Sequence, residues 1–168
     1  IDKGKNSYRK ESIKKIAIFG NKDLAQCKFY RIDQKKEQFD DLDLECDIFY
    51  YNDQTSTEDL KEKIYKYQLI IFYRIPAFPD IIDIIQLTSS LGIISIYDID
   101  DIIYDRTIYP PKKEDYSTKL TKSEYNNLSS AVPLFDTAIS LCDYGIASTQ
   151  IIYDSLKKRV KSGEVFLH

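Results

Sequence analysis

Methionine is absent from the chain, histidine occurs once, at position 168, and cysteine only three times. The missing methionine, with the polar and patternless opening Ile1-Asp2-Lys3-Gly4-Lys5-Asn6-Ser7, marks the sequence as a segment expected to come from a longer protein. Cys27, Cys46 and Cys142 are widely spaced and form no C-x-x-C pair, which excludes the usual disulfide frameworks and zinc-ligand spacings and suits reduced thiols in a cytoplasmic protein. No apolar stretch is long enough to span a bilayer, and no signal-peptide pattern is present. Basic stripes are missing as well. Lys and Arg number 24 against 27 Asp and Glu, interleaved to a net charge of -3, so nucleic acid is not an expected partner. Neither an internal repeat nor a low-complexity tract is visible.

What the chain does have is length for one domain and a regular rhythm. Its 168 residues suffice for a sizeable core. Residues 1–13 read as a flexible segment and 14–168 as the domain. The 14 tyrosines are taken as compositional background rather than as a stacking surface.

Short β-branched and aromatic runs alternate with amphipathic stretches. Lys14 to Phe19 reads as a strand closed by Gly20 and the polar loop Asn21-Lys22-Asp23. Between Gln26 and Phe39 the apolar positions Phe29, Ile32 and Phe39 recur at helical spacing with Lys36 in register, which places Arg31, Gln34, Lys35 and Gln38 on the wet side. Further strands are expected at Leu44 to Tyr51, Leu69 to Tyr73, Gly92 to Tyr97, Tyr144 to Ala147 and Glu164 to Leu167. Helices are expected from Ser56/Thr57 to Tyr65, from Asp80 to Leu91, from Leu128 to Cys142, and from Gln150 to about Val160 behind a Ser148 or Thr149 cap. Pro133 either kinks the third of these or sits in its first turn. After Asp105 the pattern lapses through Tyr109-Pro110-Pro111-Lys112-Lys113, a loop of a length that is often functional. Such alternation implies right-handed βαβ units and a parallel sheet covered by helices on both faces.

In a parallel sheet the residues that follow each strand share one rim. Here they are Asn21 and Lys22, Asn52 and Asp53, Arg74, Asp98 to Asp101, Ser148 and Thr149, and His168. Polar loops are ordinary at such a rim, and Thr149 or Ser148 is most simply a helix cap. Arg74 stands out because it ends a fully apolar strand and precedes Ile75-Pro76: it is either a fork for a carboxylate or phosphate ligand, or a salt bridge to the nearby acids. The cluster Asp98-Ile99-Asp100-Asp101 carries most of the chemistry, since adjacent carboxylates repel and want a partner. A divalent metal with a phosphorylated ligand would serve, as would a sugar whose hydroxyls the acids accept or deprotonate. A helix start with acids on its dipole, or a salt-bridged loop, is the plain alternative.

The order of motifs resembles a known family. Cys27-x-x-Tyr30-Arg31-x-x-Gln34-Lys35-x-Glu37-Gln38-Phe39, Tyr73-Arg74-Ile75-Pro76, Tyr97-Asp98-Ile99-Asp100-Asp101-Ile102-Ile103-Tyr104-Asp105 and Ala147-Ser148-Thr149 together are similar to the N-terminal half of a GT-B glycosyltransferase of the family 4 type, from bacterial capsule and O-antigen clusters. The resemblance covers roughly Lys15 to His168. It implies an α/β, Rossmann-like three-layer α/β/α domain with a mainly parallel sheet, forming the acceptor-binding half of a retaining enzyme. The C-terminal donor-binding domain would lie outside this chain, which would be inactive alone. It implies a nucleotide-sugar as co-substrate rather than a cofactor, no metal, and a glycan or lipid-linked acceptor. Its place would be the cytoplasm, at the inner face of the membrane. By the same resemblance Asp98, Asp100 and Asp101 are the catalytic candidates. Asn21, Lys22, Arg31, Gln34, Lys35, Arg74, Ser148 and Thr149 are the substrate-binding ones. Where many relatives have a Gly-rich loop this chain has Gly20-Asn21-Lys22-Asp23, and where they often carry a histidine it has the Asp98 cluster. A non-catalytic sugar- or nucleotide-binding module is the rival from another class, and a D-x-D metal-dependent phosphatase a third reading.

Overall fold

A computed structural model describes residues 12–22 and 24–168, so the expected flexible segment lies almost wholly outside the described residues. Strands β1 (Lys15–Gly20), β2 (Glu45–Tyr50), β3 (Leu69–Tyr73), β4 (Ile94–Ile99), β5 (Tyr144–Ala147) and β6 (Val165–Leu167) form one six-stranded sheet in the order β2-β1-β3-β4-β5-β6. Every adjacent pair is parallel. This is the α/β, Rossmann-like architecture expected, with the flavodoxin-type variant of strand order. The order reverses between β1 and β3, so the crevice at a doubly wound sheet's switch point lies beyond the C-terminal ends of those strands.

Alternation along the strands separates two cores. Ile16, Ile18, Leu69, Ile71, Tyr73 and Ile96 face the helical segment α1 (Ala25–Lys28), a π-helical turn (Phe29–Asp33) and α2 (Gln34–Asp40). Ala17, Phe19, Ile70, Phe72, Tyr97 and Ala147 face the opposite way. They pack on α3 (Gln54–Lys63), α4 (Pro79–Ser90), α5 (Lys122–Leu141) and α6 (Gln150–Leu156). Phe19, Phe72 and Tyr97 are fully buried, each such apolar side chain contributing roughly 1.5–3 kcal/mol.

The helix signals are local and readable. Pro79 opens α4 at its first turn, and Gly92, with φ 69°, ends it in the left-handed region that a glycine enters without penalty. Asp53, rather than Ser56 or Thr57, caps α3, accepting from the Ser56 amide at 3.2 Å. Helix α5 starts six residues earlier than its apolar spacing predicts, because Thr121 and Glu124 form a reciprocal capping box, and Pro133 therefore falls inside the helix.

Two differences matter for the site. β4 runs on to Ile99, so Asp98 lies within the strand and is buried, instead of emerging after it. The segment Ala25–Asp40 follows its apolar spacing only in part: Ile32 and Phe39 pack toward the sheet as expected, but Phe29 is exposed, and Arg31 and Lys35 are buried on the sheet side rather than wet. The π-helical turn at Phe29–Asp33 sets Phe29 off that face, while Lys35, three residues after Ile32 and four before Phe39, shares it by ordinary helical spacing. The buried Asp98 carboxylate supplies the reason for two cations to face inward.

Candidate functional site

The acids of β4 and its loop divide into a buried cluster and a rim cluster. Asp98 has no solvent-exposed surface, and β4's alternation aims it, with Ile94 and Ile96, at the α1–α2 face. Lys35 Nζ donates to its Oδ2 at 2.9 Å, and Arg31 Nη1 lies 3.5 Å from its Oδ1. Neither Arg31 Nη1 nor Asp98 Oδ1 completes a hydrogen bond among the described residues. Two buried cations thus face one buried carboxylate. His168 stands near enough to feel them: the Lys35 charge first, then burial, then Arg31, hold its imidazole below the ordinary value, while Asp98 opposes them. Its backbone N–H donates to the Ala147 carbonyl at 2.8 Å, which fixes the chain end beyond β6.

Arg74 organises the rim. Its φ of 50° is left-handed, uncommon for a residue with a Cβ. Strain of this kind costs roughly 1–3 kcal/mol and gathers at functional sites. The backbone N–H of Arg74 donates to the Asp98 carbonyl at 3.0 Å. Nη1 reaches Asp100 Oδ1 at 3.2 Å and Asp101 Oδ2 at 2.9 Å, holding two carboxylates with one nitrogen. Burial works against the Arg74 charge, yet Asp100 and Asp101 keep its pKa above the ordinary value. Tyr73 donates its hydroxyl to Asp100 Oδ2 at 3.3 Å, and Ser148 Oγ donates to the Asp100 carbonyl at 3.3 Å. Burial first, then the Asp100 charge, push the phenol of Tyr73 and the thiol of Cys27 up. The Tyr97 hydroxyl donates to the Ile75 carbonyl at 2.8 Å, stiffening the segment after Arg74.

Within this rim the two acids differ in access. The Asp101 side chain is 58% exposed, the Asp100 side chain 19%. Asp101 can meet a ligand directly, while Asp100 is held from two sides and sets the position of Arg74. The partner that clustered carboxylates require is supplied by the protein itself, through Arg74 and through Arg31 with Lys35. Among the described residues no group of three or more His, Cys, Asp or Glu side chains is arranged to hold a metal ion.

The remaining sequence candidates are spread along the same edge. The Asn21 amide donates to the Tyr73 carbonyl at 3.2 Å, tying the β1 loop to β3. Lys22 Nζ lies 4.0 Å from Asp53 Oδ2 and 5.0 Å from the centre of the Tyr50 ring. Thr149 caps α6, its hydroxyl accepting from the Ile152 amide at 3.4 Å. Gln34 is half-buried. Arg31 and Lys35 belong to the buried cluster and are not on a wet face. Sequence reading missed Tyr73 and Cys27. Tyr73 could have been found, since it ends β3 on the same side as Leu69 and Ile71 and adjoins Arg74; a lone cysteine carries no comparable signal.

No family model matches the chain, and no curated protein does. Among solved structures it is similar to a dTDP-4-dehydrorhamnose reductase from Clostridium acetobutylicum, with 14% identity and a TM-score of 0.42. The match covers 86% of this chain and 59% of that one. It is the chain's own sheet, six parallel strands with the reversal between β1 and β3, that assigns it to the Rossmann-like class.

Proposed function

We propose that the chain is the acceptor-side domain of a retaining glycosyltransferase of GT-B architecture, which moves a sugar from a nucleotide-sugar to a glycan or lipid-linked acceptor in bacterial surface-polysaccharide synthesis. The observation that carries the reading is the Arg74 clamp: an exposed carboxylate, Asp101, held in place beside the sheet's switch point by an arginine in a strained backbone conformation. An acid that is both open and fixed suits hydroxyl recognition, because the carboxylate accepts hydrogen bonds from a sugar without first losing its own freedom. Asp101 would contact the acceptor hydroxyl. Asp100, Tyr73 and Ser148 would position the clamp, and Asn21 and Lys22 would border it from the β1 loop. The donor would be bound by a second domain outside this chain, and rate would come chiefly from bringing acceptor and donor together in one geometry.

The phosphatase reading loses its support at Asp98. Its first acid would have to attack a phosphorus atom, whereas Asp98 is sealed from solvent with an ammonium on Oδ2. Arg31 and Lys35 likewise act on Asp98, not on an acceptor. Among the described residues no helix is long and apolar enough to cross a membrane.

The test is sugar transfer by the intact protein. Asp101→Asn is expected to lower transfer from a labelled nucleotide-sugar to a glycan acceptor by roughly a hundredfold, with the melting temperature unchanged because Asp101 is exposed. Undiminished transfer would sink the reading. Binding of glycans without any transfer by the intact wild-type protein would leave the non-catalytic module.

A further inference from the structure

The long loop between β4 and α5 builds a pocket that the reading above does not use. It has a volume of about 460 Å³ and is lined by Arg106, Tyr109, Pro110, Tyr125, Ser129, Ser130 and Val132. That volume falls within the roughly 300–1,000 Å³ of typical small-molecule sites. The loop is well anchored. Asp105 Oδ1 accepts from the Thr107 amide and hydroxyl at 2.9 and 2.6 Å, and the Tyr109 amide donates to the Asp105 carbonyl at 2.8 Å. Arg159 Nη2 reaches Asp105 Oδ2 at 3.0 Å, its Nε reaches Asp136 Oδ1 at 2.9 Å, and its guanidinium lies over the Tyr104 ring at 5.1 Å.

The charge balance follows from these anchors. Asp105, next to Arg106 in the chain, is already committed to Arg159 and Thr107, while Arg106 has no ion pair or hydrogen bond among the described residues. The pocket therefore carries an unneutralised cation. Its walls include two tyrosines and two serines, of which Ser129 already donates its hydroxyl to the Tyr125 carbonyl at 3.0 Å. Tyr116 packs edge to face on Tyr125 at 6.5 Å, and its own buried hydroxyl has no partner among the described residues. Burial first, then neighbouring Tyr116, push the Tyr109 phenol up to about 12, and Tyr109 also feels the charges of Arg74 and Asp101. Tyr109, on the pocket wall, thus stands within electrostatic reach of the rim clamp.

We propose that this pocket binds an anionic sugar, a carboxylated or phosphorylated pyranose, through Arg106 on its acid group, the ring faces of Tyr109 and Tyr125 on its C–H surface, and Ser130 on a hydroxyl. The chemistry is chosen by the lining. Tyrosine faces with scattered hydroxyls suit a ring that is apolar on its faces and polar at its edge, and a guanidinium without a protein carboxylate favours a ligand that brings one, or a phosphate. The proposal rests on and deepens the reading of the rim as an acceptor site, by making the acceptor an acidic saccharide whose acid group is held by Arg106.

Binding is measured by ligand-observed NMR with glucuronic acid, glucose 1-phosphate, methyl glucoside and inorganic phosphate against the wild-type chain, Arg106→Gln and Asp101→Asn. At least one of the two charged sugars is expected to bind better than methyl glucoside and better than phosphate, and Arg106→Gln is expected to weaken it by roughly tenfold. Which charged sugar binds tells carboxylate from phosphate. The proposal is overturned if neither charged sugar binds, if inorganic phosphate binds as well as the better of the two, or if Arg106→Gln leaves affinity unchanged. Charged sugars that fail to bind, beside a neutral glycan that binds and is lost in Asp101→Asn, would overturn the pocket while leaving the rim reading intact. Arg106 and Ser130 are exposed, so Ser130→Ala gives a second variant that keeps the fold, with a loss of about threefold expected.

Discussion

Removing Asp98 should harm the protein more than removing either of the cations that face it. The cluster holds Arg31 and Lys35 against one carboxylate, all three buried, with the Lys35 bond at 2.9 Å and the Arg31 contact at 3.5 Å. Asp98→Asn keeps the volume but leaves two buried cations without an anion, the situation that costs about 3–5 kcal/mol when a buried pair loses one partner. At roughly 2–4 °C per kcal/mol for a chain of this size, the melting temperature falls by roughly 6–20 °C. Lys35→Met removes the surplus instead. Arg31 and Asp98 then balance, and the loss is confined to one charge-assisted hydrogen bond, about 1.5–3 kcal/mol, partly offset by the buried Met side chain. Urea unfolding followed by circular dichroism gives both values on one scale. If Asp98→Asn costs no more than Lys35→Met, the premise of a cation surplus is wrong.

Three further outcomes follow from other parts of the molecule. The His168 imidazole should titrate below its ordinary 6.5, and Lys35→Met should move the midpoint upward, because the Lys35 charge is the largest cause of the depression; a midpoint unmoved in ring-proton NMR would separate the two groups. The Glu124 carboxyl is held below its ordinary 4.5 by the backbone N–H and then the hydroxyl of Thr121. The capping contribution is therefore present above 4.5 and lost as pH falls through the lower folded value, so Glu124→Gln should flatten that part of the acid stability profile, and an unchanged profile would argue against the capping box. Arg74→Lys should lose acceptor binding by roughly tenfold or more, since an ammonium on a shorter, freely rotating stem does not reproduce the position of Nη1 between Asp100 and Asp101; titration calorimetry with a bound glycan measures it, and equal affinity would mean the clamp is incidental.

Much of the scaffold was legible from local pattern. The runs at Lys15–Gly20, Leu69–Tyr73 and Tyr144–Ala147 announce themselves because parallel strands buried on both faces need uninterrupted apolar residues. The rim that gathers Arg74, Asp100 and Asp101 follows from strand direction alone. Three features were not legible, each for a physical reason. Arg31 and Lys35 read as surface because charged side chains belong there unless a partner is buried with them, and that partner, Asp98, is more than sixty residues away in sequence. Asp98 read as a rim acid because nothing local distinguishes a carboxylate in a strand's last two residues from one in the loop that follows. The first turns of α5 carry capping rather than apolar signals, so periodicity alone began the helix late. Of the candidate site, then, the exposed part was readable and the buried part was not.

Acceptor recognition at the Arg74 clamp is tested most directly by backbone amide chemical-shift mapping. On titrating the isotopically labelled chain with acidic and neutral saccharides, the largest shifts are predicted at Arg74, Asp100, Asp101 and Ser148, and these shifts should vanish in Asp101→Asn while the rest of the spectrum holds. Saturable shifts centred on the opposite edge of the sheet, at the start of β1, β3 and β4, or no saturable shifts with any saccharide, would contradict it.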